Sequence, residues 1–394
     1  MKIVILNNDF RVYWKGRLVY LHSFLASNNI ALDAIELFGS GSPYEFDTVD
    51  NSREWWRCLF PDNSSADLDG RTIKSELFKQ LDVLKPDLVI GPSIAFYAGA
   101  LGLAWAKANG RKFVMFDDAK PEQVKRSWLV QTIKNIITSQ ADAFWLPSPS
   151  YDEYHEKFRN DDTVVFYGFN CIDNDLFKPQ NPQPSASKQI VCVARLVPIK
   201  NIESLLRAWQ EVQNVSDYKL KIIGNGLEEG KLRRLKANLN LSSVVFTNTV
   251  DNENLATHLH NANAFVLPSL SETWGLVVNE AMAAGLPVLL STHINAATDL
   301  LQEGENGYAF NPYDIQSITK AIIKFINLPD NEKGLMSERS VGIIDSMSYH
   351  HMGANLLKAL KQLETSKFKK PGVVASALIR RWHGRYNTAG WDKL

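Results

Sequence analysis

Cysteine is scarce in this chain. Its three cysteines, Cys58, Cys171 and Cys192, share no disulfide or metal-site spacing, so they read as buried thiols in a reducing compartment. Long apolar runs are missing as well, and no stretch reaches the roughly 18 residues of a membrane span. The opening MKIVIL is too short for a secretory signal and runs into polar Asn7-Asn8-Asp9, so a cytoplasmic protein is expected. Net charge is absent: 43 lysines and arginines face 43 aspartates and glutamates, which gives no whole-chain argument for nucleic acid. There is no internal repeat and no low-complexity tract.

What is present is a globular balance, 45% hydrophobic and 22% charged, in 394 residues, a length that suits two domains better than one core. Short apolar runs alternate with helical periodicity. In the first half strands are expected at 2–6, 31–37, 88–91, 112–116, 143–146 and 164–166, with helices at 18–27, 77–84, 94–109, 122–140 and 151–158. Loop 7–17 carries a single glycine, Gly16, and the cations Arg11, Lys15 and Arg17. Adjacent Asp117 and Asp118 end one strand, where a helix N-cap is the simpler reading than a metal pair. A proline-rich stretch, PQNPQPSASK, reads as a hinge.

The alternation restarts after the hinge. A strand at 189–194 ends at Arg195, Lys200 follows a short loop, and Asn201 is placed to cap a helix over 202–212. Two fixed cations at a strand–helix junction suit a diphosphate. A strand at 219–223 leads to Gly224-Asn225-Gly226, but the third glycine, Gly230, comes one residue late for a dinucleotide fingerprint. This argues against a dehydrogenase.

The chain is organised around residues 264–290, AFVLPSLSETWGLVVNEAMAAGLPVLL. They read as strand, tight loop, helix over 274–284 and strand. Gly285 is a left-handed cap, and Pro287 follows it. Ser271, Glu272 and Thr273 are placed at the helix start, where free N–H groups favour anions. Gly275 opens the backbone there. Glu272 and Glu280 flank the site with seven residues between them; alone, either would read as a cap or a solvated face.

That stretch resembles the E-x7-E signature of the family-4 retaining glycosyltransferases, which have the GT-B fold. The resemblance is strong over 189–365 and rests on layout in the first half, where a family histidine near Asp117 is missing and Cys171 stands in a glycine position. It implies an α/β chain of two Rossmann-like, doubly wound domains facing each other across a cleft. The expected boundaries are 1–180 on the acceptor side, a linker at 181–188, a nucleotide-sugar domain at 189–365, and a basic tail at 366–394 that returns to the first domain.

The implied reaction moves a sugar, with retention, from a nucleotide diphosphate sugar to an acceptor hydroxyl. The donor is a UDP-sugar or, as the alternative, a GDP-sugar; the acceptor is a glycan or lipid-linked glycan of surface polysaccharide or glycolipid assembly. Arg195 and Lys200 would hold the diphosphate and Glu272 the sugar hydroxyls. Donor contacts would come from Gly16, Gly224, Asn248, Val250, Thr273, Trp274, Gly275, Leu276 and Glu280, with Glu280 on the ribose. The nucleotide sugar is a co-substrate; no cofactor, metal ion or nucleic acid is implied. An inactive GT-B partner or a nucleotide-sugar-binding protein is the alternative. A periplasmic sugar-binding protein would share the two lobes but needs an export signal. The helix over 122–140, with Trp128 and several isoleucines, and the basic tail with Trp382 and Trp391, suggest attachment to an anionic membrane surface on the inner face of the plasma membrane.

Overall fold

The protein is described from a computed structural model that covers residues 1–10, 13–41, 53–120, 127–179 and 188–384. Arg11, the start of the helix expected over 122–140, most of the hinge, Arg385 and Trp391 lie outside these residues. Two compact units are present, one built from 1–169 with 349–384 and one from 170–348.

The first unit holds a seven-stranded parallel sheet. Its strands are β1 (Lys2–Asn7), β2 (Ala31–Phe38), β3 (Trp56–Phe60), β4 (Leu88–Pro92), β5 (Lys112–Phe116), β6 (Ala143–Leu146) and β7 (Val164–Tyr167), in the order β3-β2-β1-β4-β5-β6-β7. The second unit holds six parallel strands, β8 (Gln189–Val193), β9 (Lys219–Ile223), β10 (Val244–Thr247), β11 (Ala264–Leu267), β12 (Val288–Ser291) and β13 (Gly307–Phe310), in the order β10-β9-β8-β11-β12-β13. Central strands such as Val4-Ile5 and Phe265-Val266 are fully buried, as helices on both faces of a parallel sheet require. Both orders reverse once, at β1/β4 and at β8/β11. In doubly wound sheets such a reversal opens the crevice where ligands bind.

The boundaries differ from the sequence expectation at both ends of the second unit. Residues 170–179 belong to it because their backbone is bound there. Asn279 Nδ2 donates to the Asn170 carbonyl at 3.1 Å, and His260 Nε2 meets the Phe177 carbonyl at 2.6 Å. The helix Tyr349–Thr365 belongs instead to the first unit, where it packs on β7 and on the helix Tyr13–Ala26. That first helix begins earlier than expected and takes in Gly16. A side chain at Gly16 would run into the ring of Tyr349, so this glycine allows two helices to approach. Lys15 lies in the same helix, and Arg17 is 2% exposed with its guanidinium 5.2 Å over the Trp14 ring.

The rest of the tail is a strap on the first unit. It includes a helix, Val373–Arg381, that the sequence reading did not place. Trp382 is buried and its indole donates to the Ile94 carbonyl at 2.7 Å, so it is a plug and not an interfacial anchor. A buried ion pair locks the strap. Lys107 Nζ lies 2.7 Å from Asp142 Oδ2 with both side chains 3% exposed or less. Asp142 also accepts from the backbone N–H groups of Phe113 and Lys369, while Lys107 donates to the Lys369 carbonyl. Burial holds the Lys107 pKa below the ordinary lysine value, with Asp142 opposing the shift.

Asp142→Ala removes one partner and leaves the Lys107 charge buried and unpaired. The full chain should lose about 3–5 kcal/mol in equilibrium denaturation. A loss under about 1 kcal/mol would mean that the pair is no lock.

Candidate functional site

The site forms where β8 and β11 lie side by side at the reversal of the second sheet. After β8 the chain passes Arg195 and turns through Pro198–Lys200. Asn201 then takes a left-handed conformation at φ 56°. Its side chain does not cap the helix Ile202–Val215, as the sequence suggested; Nδ2 donates to the carbonyls of Pro268 at 3.2 Å and Pro312 at 2.8 Å. Leu270 N–H donates to the Ile199 carbonyl at 2.8 Å. Asn201 therefore ties together the loops after β8, β11 and β13.

This lacing delivers an ion pair. Lys200 Nζ lies 2.5 Å from Glu272 Oε1, and Ser269 Oγ donates to the same oxygen at 2.7 Å. The two charged side chains are 15% and 12% exposed, so water screens them only partly. The Glu272 loop is also pinned from the β12 side. Glu272 N–H donates to the His293 carbonyl at 3.2 Å, and Asn295 Nδ2 to the Thr273 carbonyl at 2.9 Å. Nearby Cys192 is fully buried, and burial pushes its thiol up to about 12; the Lys200 charge opposes the shift and Glu272 adds to it. The thiol is thus neutral near pH 7 and no nucleophile.

The helix that follows runs Leu276–Ala283, shorter than expected at its start. Its N-cap position is Gly275, at φ +97°, a conformation that favours glycine. Ser271, Glu272 and Thr273 thus lie in the loop before the helix, and Leu276 is its half-buried first residue. Glu280 is 2% exposed, which removes the solvated-face reading of this residue. Trp274 faces inward, also at 2%. Its indole donates to Asn279 Oδ1 at 2.9 Å, and Asn279 in turn holds the Asn170 carbonyl. The Trp274 side chain is therefore a strut under the loop, with no face for a donor to stack on.

The remaining candidates divide clearly. Arg195 is half-buried and has no ion-pair partner among the described residues. Gly224, at φ +145°, lies against the Ala194 carbonyl, and Leu196 N–H donates to the Asn225 carbonyl at 2.7 Å, so the turn after β9 supports the Arg195 loop. Asn248 is exposed and Val250 half-buried in the loop after β10. Gly16 lies in the other unit, inside a helix, and has no loop role. Asp117 Oδ1 accepts from Ala119 N–H at 3.1 Å, whereas the helix Trp128–Thr138 is capped by Ser127. The residues just beyond the aspartates, where the expected helix would start, lie outside the described ones.

Sequence reasoning missed Ser269, Asn201 as a cross-link, Asn279 and Asn295. Only Asn279 carried a signal: a polar residue between Val278 and Glu280, in a stretch otherwise apolar on that face.

Residues 173–339 match the family model described as glycosyl transferases group 1. An uncharacterized glycosyltransferase of Haemophilus influenzae is 30% identical over 195 residues, 47% of this chain and 53% of that protein. A GDP-mannose-dependent alpha-(1-6)-phosphatidylinositol monomannoside mannosyltransferase of Mycolicibacterium smegmatis is 27% identical over 207 residues, 48% of this chain and 54% of that protein. The chain thus spans about half the length of these curated relatives. Among solved structures, HepE of Anabaena, in complex with UDP and glucose, superposes with a TM-score of 0.72 at 17% identity, over 92% of this chain and 100% of that one. Two parallel-sheet Rossmann-like units with neighbours of this kind define the GT-B fold. The Lys200–Glu272 pair lies within the residues of the second unit that match the glycosyl transferases group 1 model.

Trp274→Phe keeps an aromatic ring but removes the pyrrole part of the indole, which opens a small cavity and leaves Asn279 Oδ1 without its donor. Stability should fall by about 1–3 kcal/mol, while nucleotide affinity measured by titration stays within twofold of wild type. A tenfold affinity loss at unchanged stability would return Trp274 to the donor site.

Proposed function

We propose that the protein is a retaining glycosyltransferase that moves a sugar from a nucleotide diphosphate sugar to an acceptor hydroxyl in the assembly of a surface polysaccharide or glycolipid. The observation that carries the reading is the Lys200–Glu272 pair at the sheet reversal, inside the group 1 region. A UDP-sugar is the favoured donor and a GDP-sugar the alternative. Both find support: HepE was solved with UDP, and the mycobacterial relative is named as GDP-mannose-dependent.

The chemistry follows from charge. Sugar transfer leaves a diphosphate and passes through an oxocarbenium-like sugar, so a catalyst needs fixed positive charge at the first and oxygen ligands at the second. Arg195 offers a guanidinium without an ionic partner among the described residues, and Lys200 a compact ammonium. An incoming diphosphate competes with Glu272 for Lys200. Glu272 keeps the Ser269 hydroxyl as a donor and turns to the sugar hydroxyls. The backbone at Thr273–Gly275 and Leu276 lies beside the phosphates. Asn248 and Val250 border the base, and Glu280 accepts from the ribose out of reach of competing water. The leaving phosphate takes the acceptor proton on the same face of the sugar, which retains configuration. With cations built into the loop, the reaction needs no metal ion.

Turnover of a radiolabelled nucleotide sugar tests this reading. Lys200→Ala should lower kcat/KM by about a hundredfold or more while the chain stays folded, and Glu280→Gln should weaken nucleotide binding by about 1.5–3 kcal/mol. Activity should persist in excess chelator. Unchanged kcat/KM in Lys200→Ala would reject the assignment.

The enzyme acts, in this reading, at the anionic inner face of a membrane. No helix among the described residues is long and apolar enough to cross one. The isoleucines of the helix Trp128–Thr138 are partly covered or buried, and the tail helix packs against it, so they supply no lipid-facing stripe. What is left exposed is Trp128 at 78%, Leu129 at 53%, Val373 at 88% and Val374 at 67%, on these two touching helices, with Arg380 and Arg381 also exposed. Sedimentation with anionic vesicles should carry the chain down at low salt, less so at high salt. Trp128→Ser with Val373→Ser should weaken that binding several-fold; equal recovery in the supernatant with and without vesicles would remove the membrane from this account.

A further inference from the structure

His293 is exposed in the loop after β12, and its carbonyl accepts from the Glu272 N–H at 3.2 Å. Its side chain reaches the same loop. The ring Nδ1 lies 3.1 Å from the Leu270 carbonyl oxygen, which accepts, so the contact assigns the hydrogen to Nδ1. His293 thus grips the segment 270–272 twice, with its imidazole at Leu270 and its main chain at Glu272. On the β8 side the Leu270 N–H donates to Ile199 at 2.8 Å. Little freedom is left in the backbone that carries the Glu272 side chain. A hydrogen bond at the surface competes with water, so the imidazole needs a second support. Tyr313 supplies it, with ring centroids 5.2 Å apart at 76°, an edge-to-face pair. Tyr313 is 68% exposed but held by its backbone: its N–H donates to Asn311 Oδ1 at 3.0 Å, and the preceding Pro312 carbonyl accepts from Asn201. Asn201 follows Lys200 in the chain. The contacts therefore close a circuit, from Lys200 and Asn201 through Tyr313 and His293 to Glu272, which returns to Lys200.

We propose that His293 is a positioning residue for Glu272, setting the direction from which that carboxylate meets the hydroxyls of the donor sugar. An exposed hydrogen bond and an exposed ring contact add little to folding. What they restrain is the short loop from which Glu272 projects, and a small misplacement there weakens contact with a bound sugar. Removing the imidazole gives the Leu270 carbonyl to water and loosens Glu272. Arg195 and the Gly224 turn keep their own supports on the β8 and β9 side. The loss therefore falls on the sugar and spares the nucleotide. The sugar contact rests on the glycosyl-transfer reading, but the restraint on the Glu272 backbone does not.

The test compares the full chain with His293→Ala, His293→Asn and His293→Gln. An asparagine Nδ2 takes the place of the ring Nδ1, whereas a glutamine amide reaches the place of Nε2. Titration calorimetry with UDP and UDP-glucose separates nucleotide from sugar; GDP and GDP-mannose serve where GDP is the nucleotide bound. His293→Ala and His293→Gln should weaken the sugar nucleotide roughly tenfold and leave the bare nucleotide within about twofold. His293→Asn should return the sugar nucleotide to within about threefold of wild type. Tyr313→Ala should act in the same sense as His293→Ala, by less. Hydrogen exchange over residues 268–276 of the ligand-free chain should speed several-fold in His293→Ala and recover in His293→Asn. Unfolding midpoints within about 2 °C of wild type show that the variants fold. Equal weakening of nucleotide and sugar nucleotide overturns the proposal. So does an asparagine no better than alanine, or unchanged exchange in His293→Ala. A wild type that binds neither UDP nor GDP would refute donor binding and leave the exchange comparison to decide the positioning of Glu272 alone.

Discussion

Lys200 and Glu272 are 72 residues apart in the chain and 2.5 Å apart in space. Opposite charges held that closely, and mostly out of water, need a frame that fixes both backbones, because either side chain alone would be drawn to solvent. The frame is visible. Parallel β8 and β11 bring the two loops to one edge, Asn201 spans them, and the β12 loop pins Glu272 from the other side. Gly275 lets the chain turn into its helix at a φ that costs other residues strain. Trp274, Asn279 and Asn170 form the floor. Each of these is intelligible only as support for the pair.

Under the proposed transfer reaction the pair would give the loop two states. Without an anion, Glu272 supplies the negative charge beside Lys200. A diphosphate offers more oxygen acceptors and more charge, so it would displace the carboxylate, with Ser269 placed to hold Glu272 in position. In that proposal, donor arrival and the turning of Glu272 toward the sugar are one event. Arg195 stands apart from that exchange, with no ionic partner of its own among the described residues.

Much of the fold was legible because buried parallel strands are short apolar runs with few alternatives. The expected bounds of β5, β6 and β9 are those observed. Residues 56–60 were not read as a strand because WRCLF mixes Arg57 and Cys58 into a half-exposed edge, where neither apolar run nor alternation shows. Arg195, Lys200 and Glu272 could be singled out because their chemistry and spacing speak locally. The packing of Trp274 and Gly16 was not legible for the opposite reason. Whether an aromatic ring faces in or out, and whether a glycine serves a ligand or a neighbouring helix, depends on partners distant in sequence: Asn279 with Asn170 for the first, Tyr349 for the second. The strap was opaque likewise, since Asp142 and Lys369 join 227 residues apart.

A chain with no net charge can still recognise anions if its cations are concentrated where carboxylates are few. At the second sheet's reversal Lys200 is paired with Glu272, while Arg195 has no ionic partner among the described residues. Elsewhere lysines and arginines are matched closely, as in the Glu203, Arg207, Lys231 and Glu228 network on the surface or Arg159 on Asp152. Matched pairs cancel at a distance, so an unpaired cation such as Arg195 weighs more in the local field than its share of the composition suggests. Composition alone therefore says nothing about anion binding here. The information lies in which charges the fold leaves without a partner, and that is decided by loops meeting at a strand reversal.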